Sequence, residues 1–189
     1  MIQKKIALFA SGTGSNALNI IDYFKNKSEV KIEFVLSNKS SAPIVESAQN
    51  LGIKVITCSN SEVESDTFLL DICKNHEIDF IILAGFLRKI PNSLIENYSE
   101  KIINIHPSLL PKYGGEGMYG KYVHLEVLKN QEKKTGITIH FVNSEYDKGR
   151  IIAQFSCELS SNETLESVQA KIHALEMENF PKVIEKTIL

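Results

Sequence analysis

Asn104 and His106 stand two residues apart in the stretch Asn104-Ile105-His106-Pro107-Ser108-Leu109-Leu110-Pro111. Ile102 to Ile105 reads as a short buried strand. Pro107 ends it, because proline has no backbone donor and restricts the residue before it. Residues two apart on an extended chain point to the same side, so an amide donor and an imidazole share one face at a strand end. Open α/β sheets place their chemistry at such ends. The same pair also fits a core histidine with a satisfied neighbour.

A second group of residues points to an anion. The apolar run Ile6 to Ala10 passes straight into Ser11-Gly12-Thr13-Gly14-Ser15-Asn16, and Ala17, Ile20, Ile21 and Phe24 follow at helical spacing. Strand, glycine turn and helix together aim backbone N–H groups at a negative charge. Ser15 and Asn16 add side-chain donors, although a tight turn with an ordinary cap has the same letters. Gly12, Gly14 and Ala17 satisfy the dinucleotide fingerprint, but the next strand, Ile32 to Leu36, ends in Ser37-Asn38-Lys39 without the acid that would hold a ribose. No lysine follows the glycines as a nucleotide-triphosphate loop requires. A single phosphate monoester fits better than NAD or ATP.

Other chemistry-bearing residues are ambiguous alone. Asp147 lies in the turn Glu145 to Arg150, where a carboxylate is most often a turn residue. Gly85-Phe86-Leu87-Arg88-Lys89-Ile90 follows an apolar strand and can offer backbone groups to a flat ring, or serve as plain connection. Gln169, His173 and Glu176 form a polar stripe that either lines a cleft or is solvated. His140 falls on the opposite strand face from Ile137, Ile139 and Phe141, and reads as structural unless it lines a cleft.

The elements that must position these residues alternate. Strands are expected at Ile6 to Ala10, Ile32 to Leu36, Lys54 to Ile56, Phe80 to Ala84 and Ile102 to Ile105, with helices after the glycine loop, from Pro43, over Asp66 to Asn75 and from Pro91. The near-continuous apolar run at 80–84 is typical of a parallel strand covered on both faces. Strands at Gly136 to Val142 and Ile151 to Leu159 precede a final helix, with Ser160 and Glu163 as its capping box. Its buried stripe is Leu165, Val168, Ile172 and Leu175. Four glycines in positions 114–120 predict a mobile loop. The fold class is α/β, a doubly wound, mostly parallel sheet.

Composition bounds the partners. The chain has 189 residues, 43% hydrophobic and 23% charged, with a net charge of −2. That is one globular domain with a full core. Without a basic tract, a nucleic-acid partner has no electrostatic support, and no apolar run approaches a membrane span. The start lacks the long apolar region of a signal peptide. Cys58, Cys73 and Cys157 are scattered and odd in number, which suggests buried thiols in a reducing cytoplasm.

With these stretches placed, the chain resembles the phosphoribosylglycinamide formyltransferase family over essentially its whole length. The resemblance is strongest at Asn104 to Tyr113, and is supported by Ser11 to Asn16, Leu83 to Phe86, Gly136 to Val142 and Asp147. It implies one Rossmann-like formyltransferase domain over 1–189. A phosphate-binding half would occupy about 1–100, and a catalytic and folate-binding half, with an antiparallel C-terminal portion, about 101–189. The implied reaction is formyl transfer from 10-formyltetrahydrofolate to the glycine amine of glycinamide ribonucleotide, without a metal. By the same resemblance Asn104, His106 and Asp147 are catalytic, and Gly14, Ser15 and Asn16 hold the phosphate. Leu87, Arg88, Lys89 and Ile90, with Asn104, take the folate. His173 and Glu176 lie near the amine and ribose. The expected state is a cytoplasmic monomer or weak homodimer.

The assignments agree with the chemistry. An amine attacking a formyl carbon creates an oxyanion, which the Asn104 amide and a protonated His106 can stabilise. A carboxylate beside the imidazole favours its charged form, so Asp147 is expected to raise the His106 pKa. It can also order a water that moves the proton. The chain departs from the family at Asp147-Lys148-Gly149, where Asp-Gly-Gly is frequent, which puts a positive charge near the folate side. It also has Lys112-Tyr113-Gly114-Gly115 where Lys-Tyr-Pro-Gly is common, and a longer glycine-rich insert. Among rivals, the initiator-tRNA formyltransferases carry a further C-terminal domain and the deformylases an N-terminal regulatory one. A hydrolase using Ser108 lacks a nucleophile elbow, a dehydrogenase lacks the ribose acid, and an inactive nucleotide-binding module need not keep all three catalytic residues.

Overall fold

The computed structural model describes residues 3–189. Seven strands form one sheet in the order β3-β2-β1-β4-β5-β6-β7. They are β1 (Lys4–Phe9), β2 (Val30–Ser37), β3 (Val55–Thr57), β4 (Phe80–Leu83), β5 (Ile102–His106), β6 (Lys134–Phe141) and β7 (Ile151–Glu158). The first five pair in parallel, whereas β5–β6 and β6–β7 are antiparallel. The helices are α1 (Ser15–Phe24), α2 (Pro43–Asn50), α3 (Asn60–Val63), α4 (Phe68–Asn75), α5 (Asn92–Asn97), α6 (Lys121–Lys129) and α7 (Leu165–Ile188).

Strand parity divides the core into two layers. On β1, Ile6 and Leu8 join one cluster with Ile20, Phe24 and Phe180, on the side of α1 and α7. Ala7 and Phe9 point the other way, toward Leu69, Cys73 and Leu94 on α4 and α5. Ile6 through Ala10 are fully buried, as are Ile81 and Ile82 on β4, which explains the unbroken apolar runs.

Two features of this topology position the site. The strand order reverses between β1 and β4, so the loops leaving their C-terminal ends diverge and leave a crevice. The antiparallel pairing of β5 with β6 sets Asn104 opposite His140 and His106 opposite Thr138.

Some local expectations shift. The third strand is Val55–Thr57, and a short capped helix at Asn60–Val63 precedes α4, which starts at Phe68. Ser160 and Glu163 do bond (Ser160 N–H to Glu163 Oε1, 3.1 Å), but they close a turn. The capping box of α7 is Thr164 with Ser167, because the helix begins only at Leu165. Leu165 and Leu175 are half-buried, and the deep stripe runs through Val168, Ile172, Phe180 and Ile184.

Candidate active site

The crevice is a cleft of about 540 Å³ lined by the ends of β4 and β5, the 115–120 segment, the β6–β7 loop and α7. Asn104, His106, His140, Asp147, Glu176 and Asn16 all reach it. Residues scattered over most of the sequence thus meet at the edge that the strand order creates.

His106 is the most constrained. It is 4% exposed. Its Nε2–H donates to the Tyr113 carbonyl at 2.8 Å, and a carbonyl can only accept, so that nitrogen carries the proton. The nitrogen left for chemistry is Nδ1, which lies 3.5 Å from Asp147 Oδ1. Asp147 sits at φ +55°, and its Oδ2 accepts from the Gly115 N–H at 2.9 Å.

His140 lines the cleft, the condition that separates a site histidine from a merely structural one, and so joins the candidate site. Its Nδ1–H donates to the Phe141 carbonyl at 2.8 Å. The bare Nε2 of the neutral ring then accepts from the Asn104 amide at 3.1 Å. This fixes which way the Asn104 amide points and leaves its second N–H for the cleft. The same Nε2 is 3.7 Å from Asp147 Oδ1, so two imidazoles flank one carboxylate oxygen.

Burial pushes the His106 pKa below its ordinary value; Asp147 and the Tyr113 carbonyl pull it up, and His140 adds to the lowering. Asp147 thus raises the His106 pKa as expected, but burial outweighs it and the net shift is downward. At 3.5 Å the attraction does not offset the cost of a cation in a site this dry. Burial alone would raise the Asp147 pKa, but the flanking imidazoles of His140 and His106, when either carries a proton toward it, and the Gly115 N–H hold it below the usual carboxylate range.

At the other end of the cleft, Asn16 Nδ2–H donates to Glu176 Oε2 at 2.9 Å. Burial pushes the Glu176 pKa up, against the opposing pull of Asn16 and His173. Asn16 Oδ1 is buried with no partner among the described residues. Asn16 therefore bridges α1 to α7 and offers its bare oxygen, whereas Gly14 and Ser15 lie outside the cleft lining. Gly14 takes φ +74° at the start of α1 and leaves the first N–H groups of that helix without a side-chain cap. His173 stays at the surface, 4.0 Å from Glu176.

Leu87, Arg88, Lys89 and Ile90 all line the cleft. The Leu87 N–H donates to Ser11 Oγ at 3.0 Å and Ser11 Oγ–H to Asn38 Oδ1 at 2.6 Å. The two strand-end loops are thus bolted together. Arg88 pairs with Glu64, and the Lys89 ammonium stands 5.6 Å from the Tyr146 ring centre. Lys148 pairs with Glu145 at 2.6 Å and does not line the cleft.

The signal for His140 was its two-residue offset from Thr138 in an alternating strand, but only the β5–β6 register puts it beside Asn104. The Tyr113 carbonyl and Gly115 N–H have no signal, since every residue type but proline carries both groups.

The formyl transferase family profile matches residues 4–184. Phosphoribosylglycinamide formyltransferase of Bacillus subtilis is 34% identical, over 98% of this chain and 95% of its own. The chloroplastic enzyme of Arabidopsis thaliana is 36% identical over 98% of this chain. The chain spans 67% of that relative and 60% of its Vigna unguiculata counterpart. Among solved structures, glycinamide ribonucleotide transformylase 1 of Geobacillus kaustophilus superposes with a TM-score of 0.90 at 30% identity, covering 99% of this chain and 100% of that one. A seven-stranded, mostly parallel sheet with an antiparallel C-terminal portion, a strand-end Asn-x-His and a match over nearly the whole length converge: the chain belongs to the formyl transferase family and, within it, to the phosphoribosylglycinamide formyltransferases.

Proposed function

We propose that this chain transfers the formyl group of 10-formyltetrahydrofolate to the glycine amine of glycinamide ribonucleotide, a step of purine synthesis. The observation that carries the reading is the meeting, in one cleft, of the Asn104 amide, His106 Nδ1 and the Asp147 carboxylate.

The donor set suits both substrates. Phe86, Ile90 and Val142 give the folate end an apolar lining, and the backbone of 87–90 supplies polar groups at the rim of a flat ring. The unpartnered Asn16 Oδ1 accepts from an N–H or hydroxyl of the ribonucleotide, a pairing that its burial otherwise leaves unmade. Gly14, Ser15 and the free N–H groups of α1 hold the phosphate. Glu176 faces the amine and ribose, with His173 beside it.

Each residue then has one task. The free N–H of Asn104 donates to the oxygen that becomes negative when the amine attacks. His106 Nδ1, once protonated, is the second donor; its depressed pKa makes it a strong acid. Asp147, held ionised, stabilises that imidazolium and takes the proton from the attacking amine, directly or through a water; that proton passes to the folate nitrogen as its bond to the formyl carbon breaks, which releases tetrahydrofolate and the formylated amine. Losing one donor to such an oxyanion typically costs ~10²–10³ in rate. The reacting ends of both substrates meet in one cleft, with the phosphate just beyond its lining, which adds proximity.

Residues 1–189 act as one formyltransferase domain, with phosphate binding in the N-terminal half and folate binding and catalysis in the C-terminal half. The net charge of −2 supports small-molecule partners over nucleic acid, and no helix among the described residues is long and apolar enough to cross a membrane. Scattered free cysteines, with Cys58 and Cys73 buried, agree with a reducing cytoplasm, and the proposed state there is a monomer or weak homodimer. The test is the absorbance change of a 10-formylated folate analogue with and without glycinamide ribonucleotide. Turnover only with the amine is the expected result. Amine-independent release of formate, or no turnover, overturns the reading.

A further inference from the structure

His106 depends on a backbone carbonyl, and that carbonyl depends on a residue outside the cleft. Tyr113 has φ +57°, a left-handed conformation that a bulky side chain adopts only when its surroundings impose it. In that conformation its carbonyl meets His106 Nε2–H at 2.8 Å. The neighbours that hold it there are specific. Tyr113 Oη–H donates to Glu132 Oε1 at 2.9 Å, and Lys112 Nζ–H donates to the same oxygen at 2.7 Å. Ser108 Oγ–H donates to the Lys112 carbonyl at 2.6 Å and closes the turn from within.

We infer that Glu132 is a positioning residue: by clamping Lys112 and Tyr113 it holds the Tyr113 carbonyl on His106 Nε2, and so delivers His106 Nδ1 to Asp147 and the cleft. Glu132 does not line the cleft and touches no reacting atom. The clamp does not switch off near neutral pH. Burial, followed by Glu132, pushes the Tyr113 phenol up to about 12, so it remains a donor. Lys112 and Tyr113 hold the Glu132 carboxyl below its ordinary value, so it remains an acceptor.

The consequence follows from the histidine inventory. With the carbonyl in place, only the Nε2–H tautomer is satisfied. If the carbonyl swings away, the neutral ring is free to put its proton on Nδ1, facing Asp147, and the ring loses the partner that orients it, so Nδ1 no longer stands where a donor to the oxyanion is needed. The charged ring also loses an acceptor, which lowers the His106 pKa further. The groups facing His106 are otherwise unchanged: Asp147, His140 and, on α6, His124.

This inference rests on the proposed formyl transfer, but its first readout does not. Ring-nitrogen chemical shifts of His106, followed by NMR through a pH titration, report tautomer and pKa without any substrate. In Glu132→Ala we expect a mixed tautomer and a lower pKa, with kcat for formyl transfer down ~10-fold to ~100-fold from a slight misplacement and KM for the ribonucleotide unchanged. Glu132→Gln keeps an acceptor for the phenol and should restore most of both. Tyr113→Phe removes one oxygen only, and should reproduce Glu132→Ala even if that variant folds poorly. An unchanged tautomer and pKa in both Glu132→Ala and Tyr113→Phe overturns the inference, whether or not kcat falls. If the wild-type protein transfers no formyl group while the shifts move as expected, the clamp stands and the proposed function fails.

Discussion

The loop after β1 and the turn after β5 leave the same end of the sheet, with β4 between them, yet they work by different means. At Ser11 to Asn16 the groups proposed to bind are backbone N–H donors at the start of α1, and the geometry is set by Gly14 at φ +74°. At Asn104 to Gly115 the useful groups are side chains, and backbone atoms from Tyr113, Gly115 and Phe141 fix how each points. The first region needs the absence of a side chain. The second needs particular side chains held by main-chain partners. Binding should therefore break at the first, and turnover at the second.

The sharpest break is His106→Ala. It removes the proposed second oxyanion donor and the partner of Asp147, so kcat should fall ~10²–10⁴-fold, the range for losing a positioned acid–base group. Affinity for glycinamide ribonucleotide should stay within about two-fold, since the phosphate and ribose contacts are untouched. Steady-state kinetics with calorimetric titration of the ribonucleotide separates the two. A lost affinity with intact kcat would erase the proposed division.

Two glycine substitutions test the same division through the backbone. A Cβ on Gly149 would lie 1.6 Å from the Phe141 carbonyl oxygen. Backbone cannot yield as a side chain does, so Gly149→Ala must displace the loop carrying Asp147. A misplacement near 1 Å there lowers kcat about 10²-fold. A Cβ on Gly14 would lie 2.4 Å from Ile44 Cδ1, at a φ that favours glycine. Gly14→Ala should raise KM for the ribonucleotide, lower stability by about 1–3 kcal/mol as overpacking does, and spare kcat more than Gly149→Ala. Equal kcat losses in the two variants would contradict the comparison.

The first region was readable from sequence because strand, glycine turn and helix are local patterns. Apolar runs at 6–10 and 80–84 gave the buried strands, and Pro107 marked where the strand with His106 must stop. The second region was readable only in part. Asn104 and His106 share a face by parity, but His140 joins Asn104 through a register between positions 36 residues apart. Tyr113 and Glu132 act through a carbonyl, which no sequence letter marks. The sign of the His106 shift depends on how dry the site is, and that is a property of the packed fold.

Burial of the histidines makes the second region acid-sensitive. His106 and His124 both have pKa values pushed below the ordinary 6.5, chiefly by burial, and His124 Nδ1 is buried without a partner. The unfolded chain then binds more protons than the folded one in this range. Their contribution to stability is complete above pH 6.5 and is lost as pH falls through the lower folded values. Thermal unfolding from pH 8 to pH 5 should show this decline, and His124→Gln should make it shallower. An identical slope in the variant would remove His124 as a source.

The smallest effect should come from the residue that most departs from the family pattern. Lys148 stands between Asp147 and Gly149, where its charge suggested interference with folate. Its side chain is 68% exposed and its ammonium pairs with Glu145 at 2.6 Å, away from the cleft lining. An exposed pair of this kind contributes at most ~1 kcal/mol. The loop tolerates a side chain at 148 but not at 149, because only Gly149 lies against the Phe141 carbonyl. Lys148→Gly should therefore change stability by less than ~0.5 kcal/mol, as surface substitutions away from such features do, and KM for the folate by less than about two-fold. A ten-fold fall in that KM would show that the lysine obstructs the folate site, and would move the sensitive part of the loop from its backbone to its charge.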